Sequence, residues 1–269
     1  MEPSALDALT HELISLHEAP REVPPFSDRY PGLTADSGYE AARRLHQHRT
    51  AEGWSACGRK IGFTNRTLWV RYGVHEPMWG TVYDRTLVFA QGDHAVVPLA
   101  GLVQPRIEPE ISFGLKATPR DRSLAALLPA ISWIAHSVEI VQCHHPGWKM
   151  TIADCTTDNG LHGRLVVGTQ LEISSLDALV EKLPALEVTL SRRGEVVDRG
   201  VGANVLGSPL ESLGYLVDLL SKQPEAPPLR AGEVVTTGVL TDAHPIKAGE
   251  VWTTAFTGLP LRGLTVEFT

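Results

Sequence analysis

The stretch VQPRIEPEISFGL, residues 103–115, decides how the rest of the chain is interpreted. Apolar and polar residues alternate along it: Ile107 and Ile111 occupy one parity, and Glu108 and Glu110 occupy the other. In a β-strand successive side chains point to opposite faces, so the two glutamates would share one face about 7 Å apart. The pattern therefore predicts a strand that is buried on one side and carries paired carboxylates on the other.

The paired carboxylates need a physical explanation. Two ionised carboxylates at this spacing repel each other, and proteins tolerate such a pair when a cation lies between them or when one keeps its proton. Glu139, in the apolar run HSVEIVQ (residues 136–142), supplies a third carboxylate on a second predicted strand. Three carboxylates that converge from two strands would form the all-oxygen site that Mg²⁺ or Mn²⁺ prefers. The sequence alone does not show that the strands meet, and a solvated polar face is the alternative.

Composition excludes several classes of protein. The chain has 269 residues, 43% of them hydrophobic and 20% charged, which allows one large domain or two unequal ones. A net charge of −7 and the lack of a Lys/Arg cluster argue against a nucleic-acid partner. No apolar run reaches the ~18 residues of a membrane-spanning helix, and the start of the sequence does not resemble a signal peptide. With three scattered cysteines expected as free thiols, we expect a cytoplasmic protein without a membrane partner.

Helical patterns dominate the beginning of the chain. Leucines recur at helical spacing over residues 6–16, after Ser4 as the expected N-cap. A second helix is predicted to begin near Thr34 or Asp36 and to end near Gly53, and residues 55–64 then form a predicted short strand.

The pattern changes near residue 83, where short apolar runs begin to alternate with Gly and Pro. This predicts a series of strands and turns, including a hairpin with its turn at Arg193-Gly194. Helices interrupt the series near residues 121–130 and 208–223. We therefore predict an α+β fold with a smaller α-rich N-terminal part, residues 1–80, and a larger β-rich part, residues 81–269.

Several motifs follow one another in an order known from one enzyme family. They are GRKIGFTN (58–65), YGVHEPMWG (72–80), QPRIEPEISFGL (104–115), SVEIVQ (137–142), GWKMTIADCTTDNGLHGRLVVG (147–168) and GEVVTTGVLTDAHPIKAGEVW (232–252). In this order they resemble the 2-keto-4-pentenoate hydratase and 4-oxalocrotonate decarboxylase family, a branch of the fumarylacetoacetate hydrolase superfamily. The resemblance covers nearly the whole chain.

The resemblance implies a fold and a cofactor. The β-rich part is expected to form the mixed β-roll of the superfamily, and the chain is expected to assemble as a homo-oligomer. The resemblance also implies a divalent ion, Mg²⁺ or Mn²⁺, held by Glu108, Glu110 and Glu139. A small 2-oxo acid, or its enol, would chelate that ion through its carboxylate and its 2-oxygen, which stabilises an enolate as it forms.

Lys60 and His162 are the expected catalytic residues. Lys60 lies among small and apolar neighbours, where desolvation or a nearby cation would lower its pKa toward the range useful for proton transfer; an exposed lysine at a strand end is the alternative. His162 is expected to shuttle protons, and a core histidine with a satisfied hydrogen bond is its alternative. The adjacent pair His144-His145 is expected at the surface or in a turn.

Four further residues are expected to contact the substrate. Thr237 and Gly238 could present a hydroxyl and a backbone N–H to a carboxylate, or could belong to a central strand with a glycine bulge. Asn159 could hydrogen-bond the substrate or hold a turn. Met78, together with Trp79, departs from the acidic and aromatic residues common in the family and indicates an apolar substrate tail.

The implied function is a metal-dependent hydratase that adds water to a 2-hydroxy-2,4-dienoate in the breakdown of aromatic compounds. A 2-oxo acid decarboxylase, a tautomerase or a C–C hydrolase of the same superfamily would use the same site, so these remain open. An alternative from another class is a non-catalytic subunit that stabilises a partner decarboxylase or hydratase. Retention of the three glutamates and Lys60 weighs against that alternative.

Overall fold

The computed structural model describes residues 1–175 and 178–269, which form two mixed β-sheets with helices packed around them. The helices are α1 (Pro3–Glu18), α2 (Phe26–Arg29), α3 (Ala35–Ala51), α4 (Trp69–Tyr72), α5 (Leu124–Ala130), α6 (Ile152–Thr157), α7 (Leu179–Ala185) and α8 (Pro209–Ser221). The strands are β1 (Ala56–Gly62), β2 (Met78–Tyr83), β3 (Leu87–Phe89), β4 (His94–Val97), β5 (Arg106–Leu115), β6 (Ile131–Val141), β7 (His162–Val167), β8 (Leu171–Glu172), β9 (Glu187–Arg192), β10 (Glu195–Val201), β11 (Val234–Thr236), β12 (His244–Pro245), β13 (Val251–Thr257) and β14 (Thr265–Phe268).

The N-terminal helices share a small core of their own. Their apolar faces meet through Leu9, Leu13, Leu16, Phe26 and Leu45. The helical spacing of the leucines is thus confirmed, but α1 begins earlier than expected, with Glu2 as its N-cap in place of Ser4 and no side-chain cap. The helix α3 begins at the first of its two expected starts: Thr34 is the N-cap, and its hydroxyl accepts a hydrogen bond from the backbone N–H of Ser37. Among the described residues, no helix is both long and apolar enough to span a membrane.

The larger sheet has nine strands and contains β5, which carries Glu108 and Glu110. Its order is β2-β1-β11-β5-β6-β7-β3, with β12 paired to β5 and β8 paired to β6. β5 and β6 are antiparallel, and their register places Glu108 opposite Glu139 and Glu110 opposite Ser137. Directly opposed residues of an antiparallel pair lie on the same face, so all three carboxylates share one face of the sheet.

The smaller sheet has five strands in the order β10-β9-β13-β14-β4. The predicted hairpin is confirmed as β9 and β10, and both turn residues, Arg193 and Gly194, have positive φ angles of 51° and 84°. This is the backbone that a two-residue type I′ turn requires. The sheet packs through Leu190, Trp252 and Val266 into a core that also receives Val138 of β6.

The boundary expected at residue 80, between the N-terminal part and the β-rich part, is misplaced. β1 pairs in parallel with β11, Lys60 opposite Thr236, and β2 pairs with β1, so both strands belong to the larger sheet. A boundary at residue 80 would cut through β2. The partner strand of β1 lies far along the chain, and local patterns carry no signal of such a pairing. The part outside the sheets is therefore limited at the N-terminus to α1, α2 and α3.

Candidate active site

Three glutamates meet on the face shared by β5 and β6. One oxygen from each of Glu108, Glu110 and Glu139 lies within 4.8 Å of the others. Glu110 and Glu139 are fully buried, whereas Glu108 is partly exposed and lines a cavity. The predicted meeting of the three carboxylates is confirmed, and we call this group the glutamate cage.

The end of β11, the strand that pairs with β5, and the residues just after it hold Glu110 in place. Its Oε2 accepts hydrogen bonds from the Thr236 hydroxyl and, at 2.8 Å, from the backbone N–H of Gly238. Gly238 has a φ of 99°, and a Cβ there would lie 1.8 Å from Thr64 Oγ1, so only glycine fits. The other oxygen of Glu110, Oε1, is buried without a hydrogen-bond partner among the described residues.

Two cationic or potentially cationic side chains hold Glu139. Lys60 Nζ lies 3.2 Å from Glu139 Oε2, and His162 Nδ1 lies 2.8 Å from Glu139 Oε1. The second ring nitrogen of His162 lies 2.9 Å from the Thr86 hydroxyl. Burial, followed by the charge of Lys60, lowers the pKa of His162 well below its ordinary value. A neutral His162 that carries its proton on Nδ1 donates to Glu139 and accepts from Thr86.

The glutamate cage has an excess of negative charge. Burial raises the pKa of Glu108 to about 8; the positive charge of Lys60 opposes this shift, and the negative charge of Glu139 adds to it. Burial and the charge of Glu139 likewise raise the pKa of Glu110 to about 8. Burial by itself would lower the pKa of Lys60, but the carboxylates, Glu139 foremost, outweigh it and raise that pKa above its ordinary value. The expected lowering of the Lys60 pKa is therefore absent without a bound cation, because three anions face one ammonium group.

The chemistry of the donors fits a divalent cation. All the available ligand atoms are carboxylate oxygens, which Mg²⁺ and Mn²⁺ prefer. Burying Oε1 of Glu110 without a hydrogen-bond partner costs folding free energy, unless a cation or another donor binds it. Repulsion among the three carboxylates would be relieved by two positive charges placed between them. Glu108, Glu110 and Glu139 are therefore the residues that could hold the ion.

The charge of the glutamate cage predicts how stability depends on pH. Glu108 and Glu110 have folded pKa values of about 8 against an ordinary 4.5, so the folded protein binds more protons than the unfolded chain between these values. Stability must then fall as pH rises through this window. We expect the melting temperature in EDTA to fall from about pH 6.5 to about pH 8. Saturating Mg²⁺ and the substitution Glu108→Gln should each flatten the curve, and a rising curve in EDTA would contradict the electrostatics.

A cavity of about 280 Å³ opens beside the glutamate cage. Its lining includes Lys60, Met78 and Glu108. A second cavity, of about 350 Å³, is lined by the alternate strand residues Arg59 and Trp79. Because neighbouring residues of a strand point to opposite faces, β1 and β2 form a wall between the two cavities.

The residues expected to bind the substrate do not all reach the cavity beside the glutamate cage. Met78 lines the cavity beside the glutamate cage, as expected for a substrate contact. Asn159 instead uses both ends of its amide on the backbone of Thr81, at 2.8 and 2.9 Å, which supports its alternative role in holding a turn. The Thr237 hydroxyl donates to the carbonyl of Ile111 at 2.8 Å, and so belongs to the strand framework.

Two other expectations need correction. Trp79 lines the second cavity and stacks on Tyr39 with ring centroids 5.4 Å apart, so it cannot shape an apolar substrate tail beside the cage. His144 and His145, which were expected at the surface or in a turn, lie in a bend but are fully buried. His144 Nδ1 lies 2.7 Å from a buried oxygen of Asp158, which compensates the cost of burying both groups.

Comparison with known proteins gives a consistent result. No protein-family model matches the chain. A 2-keto-4-pentenoate hydratase from Paraburkholderia xenovorans is 31% identical over 243 residues, which cover 89% of this chain and 87% of that protein. A 4-oxalocrotonate decarboxylase from Pseudomonas sp. is 30% identical, covering 82% of this chain and 81% of that protein. The chain belongs to the 2-keto-4-pentenoate hydratase and 4-oxalocrotonate decarboxylase family.

A solved structure of the family agrees with the fold. The 4-oxalocrotonate decarboxylase from Pseudomonas putida G7, complexed with magnesium and adipate, has a TM-score of 0.90 and 26% identity, and the match covers 100% of this chain and 99% of that one. The α+β fold expected from the resemblance is confirmed. The family consists of metal-dependent lyases, and this chain is one of its enzymes.

His162 does not line the cavity, so its placement favours a role in orienting Glu139. Removing a residue that forms a hydrogen bond with a metal ligand commonly lowers the metal affinity by about 10–100-fold. We expect His162→Ala to weaken Mg²⁺ binding, measured by calorimetric titration, by about that factor. His162→Asn retains an N–H donor near Glu139 and should lose less. Wild-type affinity in a folded His162→Ala variant would exclude the orienting role.

Sequence reasoning missed two residues of the site. Thr236, which donates to Glu110, comes from a strand whose pairing with β5 has no local signal. Arg106 lines the cavity and shares the parity of Glu108 and Glu110 along β5, so the alternation that revealed the glutamates could have revealed it as well.

Proposed function

We propose that this chain is a divalent-metal-dependent hydratase that adds water to a small 2-hydroxy-2,4-dienoate or unsaturated 2-oxo acid. The observation that carries the proposal is the convergence of three glutamates and the buried Lys60 beside one small cavity. The name of the hydratase relative supports the reaction, and the magnesium in the structural neighbour supports the choice of cofactor.

Glu108, Glu110 and Glu139 would hold the ion, Mg²⁺ or Mn²⁺. When bound, it would supply the positive charge that stabilises an enolate of the substrate, and that charge would act to lower the pKa of Lys60. Thr236 and Gly238 fix Glu110, so the cage is formed before any ligand arrives.

Lys60 is the group that would move protons. It is 2% exposed, lines the cavity and lies 3.2 Å from Glu139, so its ammonium group is held in one place. From there it can donate a proton to, or accept one from, the conjugated carbons of a substrate in the cavity. Apolar side chains around it, among them Met78 and Leu161, exclude bulk water from the reacting atoms.

A second candidate is decarboxylation of a 2-oxo acid. The observation that favours it is the TM-score of 0.90 to a 4-oxalocrotonate decarboxylase. The same residues would stabilise the enolate left when CO₂ departs, so the geometry of the cage is compatible with both reactions.

We also propose a setting for the enzyme: a cytoplasmic homo-oligomer that has a 2-oxo acid as its substrate and no nucleic-acid or membrane partner. Association with a pathway decarboxylase is part of this proposal. Exposed apolar side chains such as Val70 and Phe89 support self-association, and free cysteines support a reducing compartment. Light scattering of the purified protein would test the oligomeric state.

The deciding experiment is turnover of a 2-hydroxy-2,4-dienoate by the purified protein alone, with Mg²⁺ or with EDTA. Loss of the dienol absorbance with Mg²⁺, together with a hydroxylated 2-oxo acid as the product, is expected. Release of CO₂ from a carboxylated substrate would favour the decarboxylase. No metal-dependent loss of absorbance would instead favour a non-catalytic partner subunit.

A further inference from the structure

The second cavity lies behind the wall formed by β1 and β2, on the face opposite to the glutamate cage. Its volume of about 350 Å³ is within the range of roughly 300–1,000 Å³ that is common for pockets that bind small organic molecules. Its lining comes from α3, β1, β2, Asn159 and the loop that follows α8. The proposed reaction uses no residue of this cavity, so a ligand bound there would occupy a site of its own.

One wall of the second cavity is aromatic. Trp79 stacks on Tyr39 with ring centroids 5.4 Å apart, and both rings line the cavity. Their polar atoms already have partners, because the Trp79 indole N–H donates to Gln223 at 3.0 Å and the Tyr39 hydroxyl accepts from the backbone N–H of Trp79 at 3.1 Å. The loop after α8 adds further apolar surface through Pro224, Ala226 and Pro227. The two rings therefore offer a ligand a flat and largely apolar surface.

Arg59 supplies the unpartnered hydrogen-bond donors of this cavity. It is 4% exposed, and it is the only buried charged residue among the described residues of the lining. Its Nη1 donates to Glu233 at 3.2 Å and to the carbonyl of Gly58 at 2.9 Å. Among the described residues there is no acceptor for its Nε, which is buried, or for its Nη2. A buried donor without an acceptor is unfavourable, so a ligand that brings an acceptor to this guanidinium gains free energy on binding.

The electrostatic potential near Arg59 favours an anion. Burial, followed by the charges of Arg59 and Arg49, lowers the pKa of His46, which also lines the cavity. The acidic residues of the lining either are exposed or already form ion pairs with arginines of their own helix; they are Asp36, Glu225 and Glu40. The buried part of the cavity therefore carries positive charge, and the negative charges lie toward its opening.

The position of Arg59 beside the aromatic wall defines the ligand. Its central carbon lies 5.6 Å from the ring centroid of Trp79, so a ligand in the cavity needs a flat apolar body with a planar acceptor attached to it. A carboxylate on an aromatic ring has both properties, and a charged acceptor forms a stronger hydrogen bond with a guanidinium than a neutral one. We infer that the second cavity is a binding site for a planar aromatic monocarboxylate, whose ring lies against Trp79 and Tyr39 and whose carboxylate accepts from Arg59.

Two ligands of the same shape test the inference. 2-Naphthoate carries a carboxylate, and 2-naphthamide carries a neutral amide on the same ring system. Calorimetric titration of the full chain in EDTA keeps the glutamate cage free of metal, so neither ligand can bind there through an ion. 2-Naphthoate should bind at least ~10-fold more tightly than 2-naphthamide.

Variants of the lining separate the contribution of charge from that of the rings. Arg59→Met should weaken 2-naphthoate binding by about 10–100-fold and bring it to the level of 2-naphthamide. Trp79→Leu should instead weaken the binding of both ligands by about 3–10-fold. Because Arg59→Met leaves Glu233 without its cation, the double variant Arg59→Met/Glu233→Gln replaces it in the comparison if the single variant does not fold.

A variant of the cavity beside the glutamate cage provides the control for location. Arg106 lines that cavity and is absent from the described lining of the second one, so Arg106→Met should leave 2-naphthoate binding unchanged. Loss of binding in Arg106→Met would overturn the inference, because it would locate the ligand beside the cage. Equal binding of the two ligands by the wild type, no binding of either, or unchanged 2-naphthoate binding in a folded Arg59 variant would overturn it as well. These measurements need neither metal nor turnover, so each of these outcomes leaves the proposed function standing.

Discussion

The substitution Glu108→Gln is expected to lower metal-dependent turnover by at least ~100-fold while the protein stays folded. Glu108 is the most suitable of the three glutamates because no described residue donates a hydrogen bond to it, whereas Glu110 and Glu139 each accept at least one. Glutamine has nearly the same shape, but its neutral amide is a poor ligand for a hard cation. Turnover of the dienol and the Mg²⁺-induced rise in melting temperature should both be measured, and both should largely disappear.

In the metal-free protein, Glu108→Gln is not expected to lower the melting temperature. Burial and Glu139 raise the pKa of Glu108, which shows that its charge is unfavourable without a cation. Removing that charge should therefore leave the melting temperature in EDTA unchanged or higher. Glu195→Gln, at an exposed position of the β9–β10 hairpin, is the matched control and should behave as wild type. Wild-type turnover in Glu108→Gln would count decisively against the metal site.

The substitution Lys60→Met is expected to slow turnover by about 10²–10⁴-fold while metal binding persists. The side chain is buried and lines the cavity, and methionine fills a similar volume without an exchangeable proton. The variant also removes the only ammonium group that faces the glutamate cage among the described cavity residues, so Mg²⁺ affinity should be retained or increased.

Lys149→Met provides the control for this prediction. Lys149 is exposed and is absent from the described cavity lining, although its neighbours Trp148 and Met150 both line the cavity. Its replacement should leave turnover unchanged. Unchanged turnover in a folded Lys60→Met variant would instead remove Lys60 as the acid–base group.

The fold could be predicted where local pattern is strong. Alternation revealed β5, apolar spacing revealed α1 and α3, and Arg193-Gly194 revealed the hairpin turn, because each signal lies within a few residues. The pairing of β1 with β11 carries no such signal, and this is why the expected boundary at residue 80 was misplaced. His144 and His145 do lie in a bend, but their burial has no local signal, because it depends on contacts made by folding, such as that of His144 with Asp158.

The site was predictable for residues that share a strand or a motif. Glu108 and Glu110 follow from alternation alone, and Glu139 follows from its place in a second apolar run. That these three meet Lys60 in one site was only implied by the family resemblance, since residues from different strands meet only after folding. The contacts that organise the cage, from Thr236 and Gly238, depend on the strand register. His162 shows the same limit: it was expected to shuttle protons at the substrate, whereas the structure places its ring against the carboxylate of Glu139.

The most direct test of the glutamate cage is anomalous diffraction from crystals of the protein grown with Mn²⁺. The account predicts an anomalous peak bounded by carboxylate oxygens of Glu108, Glu110 and Glu139, and the loss of that peak in Glu108→Gln crystals. Mn²⁺ bound only elsewhere, with these three carboxylates directed away from one another, would contradict it.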